Sequence, residues 1–222
     1  MEVCDTWWQT ETGAIMLASS PDATTPAGSM GRPVEGVTAA VLALGPNGRA
    51  AVTDGHVDEV ATGEVGELAP SAGWPSMFHG YWNDPVRSAA CFVDGWYLSA
   101  DLVRRDTRGD YWYLGRADDV IASCGHRIGP GEIEAVLLKH PAVVDAAVVG
   151  EPDDVAGSIV VAHVSLAAGV TGDDALRAEL LGRCRRQLGP SLTPRALSFH
   201  AHLQRTDSGK IIRRRYDPQQ LA

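Results

Sequence analysis

Gly115-Arg116-Ala117-Asp118-Asp119-Val120-Ile121-Ala122-Ser123-Cys124-Gly125-His126-Arg127-Ile128-Gly129-Pro130-Gly131-Glu132-Ile133-Glu134 decides how this chain of 222 residues is divided. Gly115-Arg116 closes one strand, and Asp118-Asp119 forms an acidic joint. Val120 to Ala122 begins a new strand, and Cys124-Gly125-His126 reads as a tight turn. Pro130 suits the first turn of a helix, where a backbone N–H has no partner to lose. Glu132 and Glu134 sit near that helix's positive end. Ile133, Val136 and Leu137 give it one apolar face, and His140-Pro141 stops it.

The two sides of the joint carry different patterns. Before it, short apolar runs alternate with turn signals. Val37 to Leu44 and Glu64 to Ala69 read as strands, with Gly45-Pro46-Asn47-Gly48 as a turn between them. Asp94-Gly95 turns the chain into a strand from Trp96 to Leu98, and Asp106 to Asp110 precedes another from Tyr111 to Leu114. Ala50 to Thr62 reads as a surface insertion. The pattern predicts a small, antiparallel, partly closed barrel. After the joint, the helix from Pro130 to Lys139 leads into apolar strands at Val143 to Val149 and Ile159 to Leu166. Asp173-Asp174 caps a helix lined by Leu176, Leu180, Leu181 and Cys184, and Ala196 to Phe199 is a third strand. The expected fold class is α+β: a barrel-like β subdomain over residues 1–116, then a compact α+β domain over 117–222.

Bulk properties narrow the partners. The net charge of −9 argues against nucleic acid. The four cysteines, at 4, 91, 124 and 184, include no Cys-x-x-Cys pair and suggest a reducing, cytoplasmic compartment. No apolar run reaches the ~18 residues a membrane helix needs, and no signal peptide is visible. A hydrophobic content of 45% is enough to fill a core. His200 and His202 share a strand face, too few ligands for a metal site. Trp74, Trp82, Trp96 and Trp112 read as packing residues. Arg213-Arg214-Arg215 is a local basic run, read first as a solvated face.

The stretch from Gly115 to Glu134 resembles the signature hinge of the adenylate-forming enzymes, the superfamily of acyl-CoA synthetases, luciferase and nonribosomal peptide adenylation domains. Asp5-Thr6-Trp7-Trp8-Gln9-Thr10-Glu11-Thr12-Gly13 is similar to the family's motif for adenine, acyl group and magnesium. Thr206-Asp207-Ser208-Gly209-Lys210-Ile211-Ile212-Arg213-Arg214-Arg215 is similar to its catalytic-lysine loop. The double Trp and Gly73-Trp74-Pro75-Ser76-Met77 resemble the acetyl-CoA synthetases within that family. The likeness runs from about residue 3 to about residue 216.

The resemblance implies a two-step reaction. Acetate attacks ATP to give acetyl-AMP, and the thiol of CoA then takes the acetyl group. It implies Lys210 as the catalytic cation and Asp118 as the hinge. It implies Trp7, Thr10, Asp101, Arg116 and Arg127 at the nucleotide, with Glu11 on Mg2+. Trp8 would wall the acyl pocket. Gly125 and Arg185, or its neighbour Arg186, would meet CoA. A compact ammonium suits bridging a carboxylate and a phosphate, an Asp can accept from both ribose hydroxyls, and magnesium takes one or two carboxylates beside phosphates.

There are two departures. Gln204 stands where acetyl-CoA synthetases usually have Pro, which bears on recognition of Lys210 by a lysine-acetylating regulator. The family's small-Gly-Asp becomes Ser99-Ala100-Asp101, and an added methyl in a crowded backbone costs ~1–3 kcal/mol. The family's phosphate-cradling, Lys-terminated loop has no counterpart. Gly28-Ser29-Met30-Gly31-Arg32-Pro33 comes nearest, lacks the lysine and reads as a surface turn. The resemblance therefore places this chain as the C-terminal part of a longer ligase, lacking most of the large domain and inactive alone. A truncated gene, a start at an internal Met and a split enzyme with a separately encoded large half all remain open, as does a non-catalytic module that binds nucleotide or CoA or docks on a larger half.

Overall fold

A computed structural model describes residues 4–20, 25–207, 209–213 and 216. Ser208, and Arg214 and Arg215 of the basic run, lie outside the described residues. The chain divides into two compact units, 1–118 and 119–222.

The first unit is an antiparallel sheet. Its elements are β1 (Thr6–Trp7), β2 (Leu17–Ala18), β3 (Ser29–Pro33), β4 (Ala39–Leu42), β5 (Val65–Pro70), α1 (Pro85–Ala90), β6 (Phe92–Val93), β7 (Trp96–Tyr97), β8 (Asp101–Arg105) and β9 (Tyr111–Arg116). Seven strands pair in the order β1-β2-β3-β9-β8-β5-β4, so β1 and β4 end the sheet; β6 and β7 form a separate hairpin. Leu17, Leu68 and Val103 are fully buried along it, as is Met16 just before β2, and β4 and the last five residues of β5 are buried at every position rather than alternately. Residues 50–62 make only isolated bridges, such as Leu44 to Ala50 and Leu42 to Glu59, in keeping with an insertion. Gly28-Ser29-Met30 leads into a strand rather than lying in a surface turn, since Ser29 to Pro33 is β3. Gly31, at φ +80°, leaves no space for a Cβ, which would lie 2.0 Å from the Ala18 carbonyl oxygen. Trp74 and Trp96 pack against apolar clusters. Trp82 does not: it is 91% exposed, beside an α1 that buries no residue.

The second unit follows a 3₁₀ turn at Ala117–Asp119. It comprises β10 (Ile121–Ser123), β11 (His126–Ile128), α2 (Pro130–Leu138), β12 (Val143–Asp153), β13 (Gly157–Leu166), α3 (Asp174–Leu188) and β14 (Ala196–His200). Pro130 opens α2, as the missing N–H favours. Asp173 caps α3 by accepting from the Leu176 N–H at 2.8 Å. β12 and β13 form a long antiparallel hairpin, and β14 joins β13 in parallel after the α3 crossover. Ile133, Leu137, Leu180 and Cys184 are fully buried in the core between helices and sheet. β10 and β11 are joined by Cys124 and Gly125, at φ +49° and +78°. Two left-handed residues in succession match the twist of a tight hairpin.

Candidate functional site

In the first unit, polar side chains from three parts of the chain converge on Asp101. This aspartate opens β8 and is 5% exposed. Oδ2 accepts from the Trp7 indole N–H at 2.8 Å and from Gln9 Nε2 at 2.9 Å; Oδ1 accepts from Arg116 Nη1 at 3.1 Å. Gln9 also donates to the Ser99 carbonyl and accepts from the Tyr97 hydroxyl at 2.8 Å. Burial pushes the Asp101 carboxyl above its ordinary pKa, against the opposing pull of Trp7, Arg116 and Gln9. A further ligand that donates hydrogen bonds to this carboxylate would favour its charged form.

A cavity of about 280 Å³ lies beside it, lined among others by Glu11, Arg49, Tyr81, Cys91, Arg116 and Asp118. Glu11 Oε1 accepts from the Tyr81 hydroxyl at 2.7 Å, and burial with that carboxylate raises the Tyr81 pKa strongly. Arg116 reaches Asp118 at 2.9 Å and so links the buried aspartate to the residue at the joint. The cavity thus offers guanidinium groups and one carboxylate that does not belong to an ion pair with them, a donor set that suits a phosphorylated ligand with a cation.

The sequence-predicted residues of this unit are not all alike. Trp7 is 6% exposed, with its ring in the core; its polar edge, not an open ring face, reaches the site. Trp8 is 58% exposed and is not a core residue. Thr10 is exposed in the turn after β1. Ala100 adopts φ +59°, the left-handed region expected of the glycine it replaces. Gln9, Arg49, Glu67 and Tyr81 were missed. Gln9 lies inside the quoted Asp5–Gly13 motif and was legible there; Arg49 borders the stretch read as an insertion.

In the second unit, Lys210 is exposed in a compact turn. The Thr206 N–H donates to the Lys210 carbonyl at 2.8 Å, and the Lys210 N–H to Thr206 Oγ1 at 3.1 Å. Gly209, at φ +85°, allows the reversal. The turn is anchored on either side: Arg205 pairs with Asp145, and Arg213 bridges Asp119 at 3.2 Å and Glu134 at 2.7 Å. Arg127 is exposed on β11, Gly125 is exposed in the β10–β11 turn, and Arg185 is exposed in the last turn of α3. A cavity of about 220 Å³ is lined by Ser123, Cys124, His126 and Arg195, among others. His200 does not pair with His202. It accepts from or donates to His163 at 2.9 Å, with the Tyr216 ring tilted against His163 and edge-on to His200. Among the described residues no cluster of three or more His, Cys, Asp or Glu could hold a metal, and no helix is long and apolar enough to cross a membrane.

Residues 132–210 match the family described as the AMP-binding enzyme C-terminal domain. The chain corresponds to the C-terminal portion of an adenylate-forming enzyme. It is 39% identical over 211 residues to the acetyl-coenzyme A synthetase of Bacillus subtilis, covering 95% of this chain and 35% of that one. It is 41% identical over 216 residues to acetyl-coenzyme A synthetase 2 of Pseudomonas aeruginosa, covering 96% and 32%. The chain thus spans about a third of the length of the curated relatives it matches. Among solved structures it resembles an anthranilate CoA ligase in complex with anthranoyl-AMP, at TM-score 0.78 and 29% identity, over 96% of this chain and 39% of that one. It also resembles a benzoate CoA ligase from Burkholderia xenovorans, at TM-score 0.75 and 32% identity, over 97% and 40%.

Proposed function

We propose that this chain is the C-terminal portion of an acid–CoA ligase that makes acetyl-CoA through acetyl-AMP in the cytoplasm. Residues 1–116 would be the β subdomain that ends the large AMP-binding domain, and 117–222 its mobile C-terminal domain. The observation that carries this reading is Asp101. A carboxylate held by three donors, two of which (Gln9 and Arg116) line the polar cavity, is suited to accept from the two hydroxyls of a ribose.

The remaining roles follow the same chemistry. Arg116 and Arg127 would meet ribose and phosphate, and Thr10 would offer a hydroxyl to the nucleotide. Glu11, held at one oxygen by Tyr81, would be the protein's carboxylate on a magnesium ion otherwise ligated by phosphates and water. That ion would neutralise phosphate charge. Lys210 would stabilise the charge that develops as acetate attacks ATP. Trp8 would wall the acetyl site, and Gly125 and Arg185 would meet the arm and nucleotide of CoA. Asp118 would be the pivot about which the second domain turns between the two steps.

The reading is tested by acetate-dependent ATP–pyrophosphate exchange. The 222-residue protein alone is expected to show none. The same chain fused behind the N-terminal two thirds of the Bacillus subtilis relative is expected to show exchange that Lys210→Ala removes. Exchange by the isolated chain above its own Lys210→Ala control would overturn the assignment as an incomplete portion. An inactive but folded fusion would overturn the ligase assignment.

A further inference from the structure

Glu67 is a carboxylate with no exposure at all, on β5, the strand between edge strand β4 and β8. Its oxygens are fully engaged. Arg49 forks onto it, with Nη2 at 2.8 Å from Oε1 and Nε at 3.1 Å from Oε2. The Ala50 N–H donates to Oε2 at 2.7 Å, and the Ala100 N–H donates to Oε1 at 2.7 Å. The last of these bonds falls on a residue in an unfavourable conformation. Ala100 sits at φ +59°, where a side chain crowds its own backbone. On its other side the Ala100 carbonyl accepts from the Ala117 N–H at 2.7 Å. The next residue is Asp101.

We propose that Arg49 and Glu67 form a clamp that holds Ala100 in the left-handed conformation and thereby positions the Asp101 carboxylate for its ligand. A glycine would reach this conformation unaided. Alanine needs a partner for its N–H that is available only in this geometry. Glu67 supplies it, and the two-pronged Arg49 contact fixes the carboxylate in place. Arg49 closes the arrangement on the ligand side, lining the same cavity as Arg116 and lying 3.9 Å from Asp118 through Nη1. Arg49 and Glu67 are thus positioning residues, not catalytic ones. The effect on a ligand rests on the reading of Asp101 as a ribose acceptor; the effect on Asp101 itself does not.

The test separates the two. The indole N–H of Trp7 donates to Asp101, so its nitrogen–proton resonance reports where that carboxylate stands, with or without a ligand. In the 222-residue protein, Glu67→Gln is expected to shift this resonance toward that of an indole without a charged acceptor. It is expected to weaken binding of adenosine monophosphate about tenfold, the scale of one hydrogen bond to a charged group. Adding Ala100→Gly to Glu67→Gln is expected to restore both, because glycine no longer needs the clamp. An unmoved Trp7 resonance in folded Glu67→Gln, or a shift that Ala100→Gly leaves uncorrected, overturns the proposal. Should Glu67→Gln not fold, Arg49→Lys loses the fork at a partly exposed position. It is then expected to give a smaller shift in the same direction, again corrected by Ala100→Gly, and no shift would count against the clamp. If no form of the chain binds the nucleotide, the ribose reading fails, and the Trp7 resonance still decides the clamp.

Discussion

Glu134→Ala would expose how the second unit fastens the segment that follows Lys210. Glu134 projects from α2, with its side chain 11% exposed. Oε1 accepts from the Val148 N–H at 2.9 Å, a donor on the outer side of edge strand β12 that its pairing partner β13 does not reach. The same carboxylate takes Arg213 Nε at 3.1 Å and Nη2 at 2.7 Å. Val148 is 1% exposed, so its N–H would be left without an acceptor and shielded from water. That loss costs about 1–3 kcal/mol. The Arg213 pair is 30% exposed on the arginine side, and a pair so placed contributes about 0.5–1 kcal/mol. Together they predict a destabilisation of the second unit of roughly 2–4 kcal/mol. Glu134→Gln keeps an acceptor for Val148 and should cost about 1 kcal/mol, that of the lost ion pair. Amide hydrogen exchange across α2 and β12 measures both, with the Val148 amide losing protection in Ala and keeping most of it in Gln. A change below about 0.5 kcal/mol for Glu134→Ala, the range of an ordinary surface substitution, would refute the reasoning.

Other expectations address the proposed chemistry and one titrating pair. In the fused enzyme, Lys210→Ala should abolish adenylation yet largely spare thioester formation from preformed acetyl-AMP; equal loss in both half-reactions would show that Lys210 does not divide them. Trp8→Gly should shift preference from acetate toward butyrate and longer acids, since each methylene that fits contributes ~1–3 kcal/mol of discrimination. An unchanged chain-length profile would remove Trp8 from the pocket wall. In the second unit, burial and then the neighbouring His200 lower the His163 pKa from 6.5 to about 4. The unfolded chain takes up this proton first, so the contribution to stability is complete above pH 6.5 and lost as pH falls toward 4. His163→Phe should flatten this part of the melting-temperature profile, and an unaltered slope would assign it to other groups.

The helices were legible because their signals are local. Pro130 and Asp173 mark their starts, and Ile133, Leu137, Leu180 and Cys184 recur at helical spacing along their buried faces. β12 and β13 were recognised from their apolar runs but are longer than those runs, since the ladder continues into the polar ends at Pro152 and Ser158. α1 gave no periodic signal because it buries nothing; an Asp84 cap and bonds from Ser88 hold it instead. β1 and β2, two residues each, are set by pairing with distant partners rather than by their own composition. Of the site, Asp101, Arg116 and Glu11 were reachable through motif resemblance. The Arg49–Glu67 pair was not, because a strand pattern gives no sign that one buried position holds a carboxylate and that its partner comes from a loop 18 residues earlier.

The boundary at Asp118 and Asp119 also sorts the chromophores. Trp7, Trp8, Trp74, Trp82, Trp96 and Trp112 all precede it, and the second unit has none. Light that excites indole therefore interrogates the first unit alone, from the shielded ring of Trp7 to the bare one of Trp82. Far-ultraviolet circular dichroism, by contrast, records the backbone of both. If the emission curve and the dichroism curve separate on titration with urea, the residual belongs to the unit that bears Lys210, so its stability can be followed without any label.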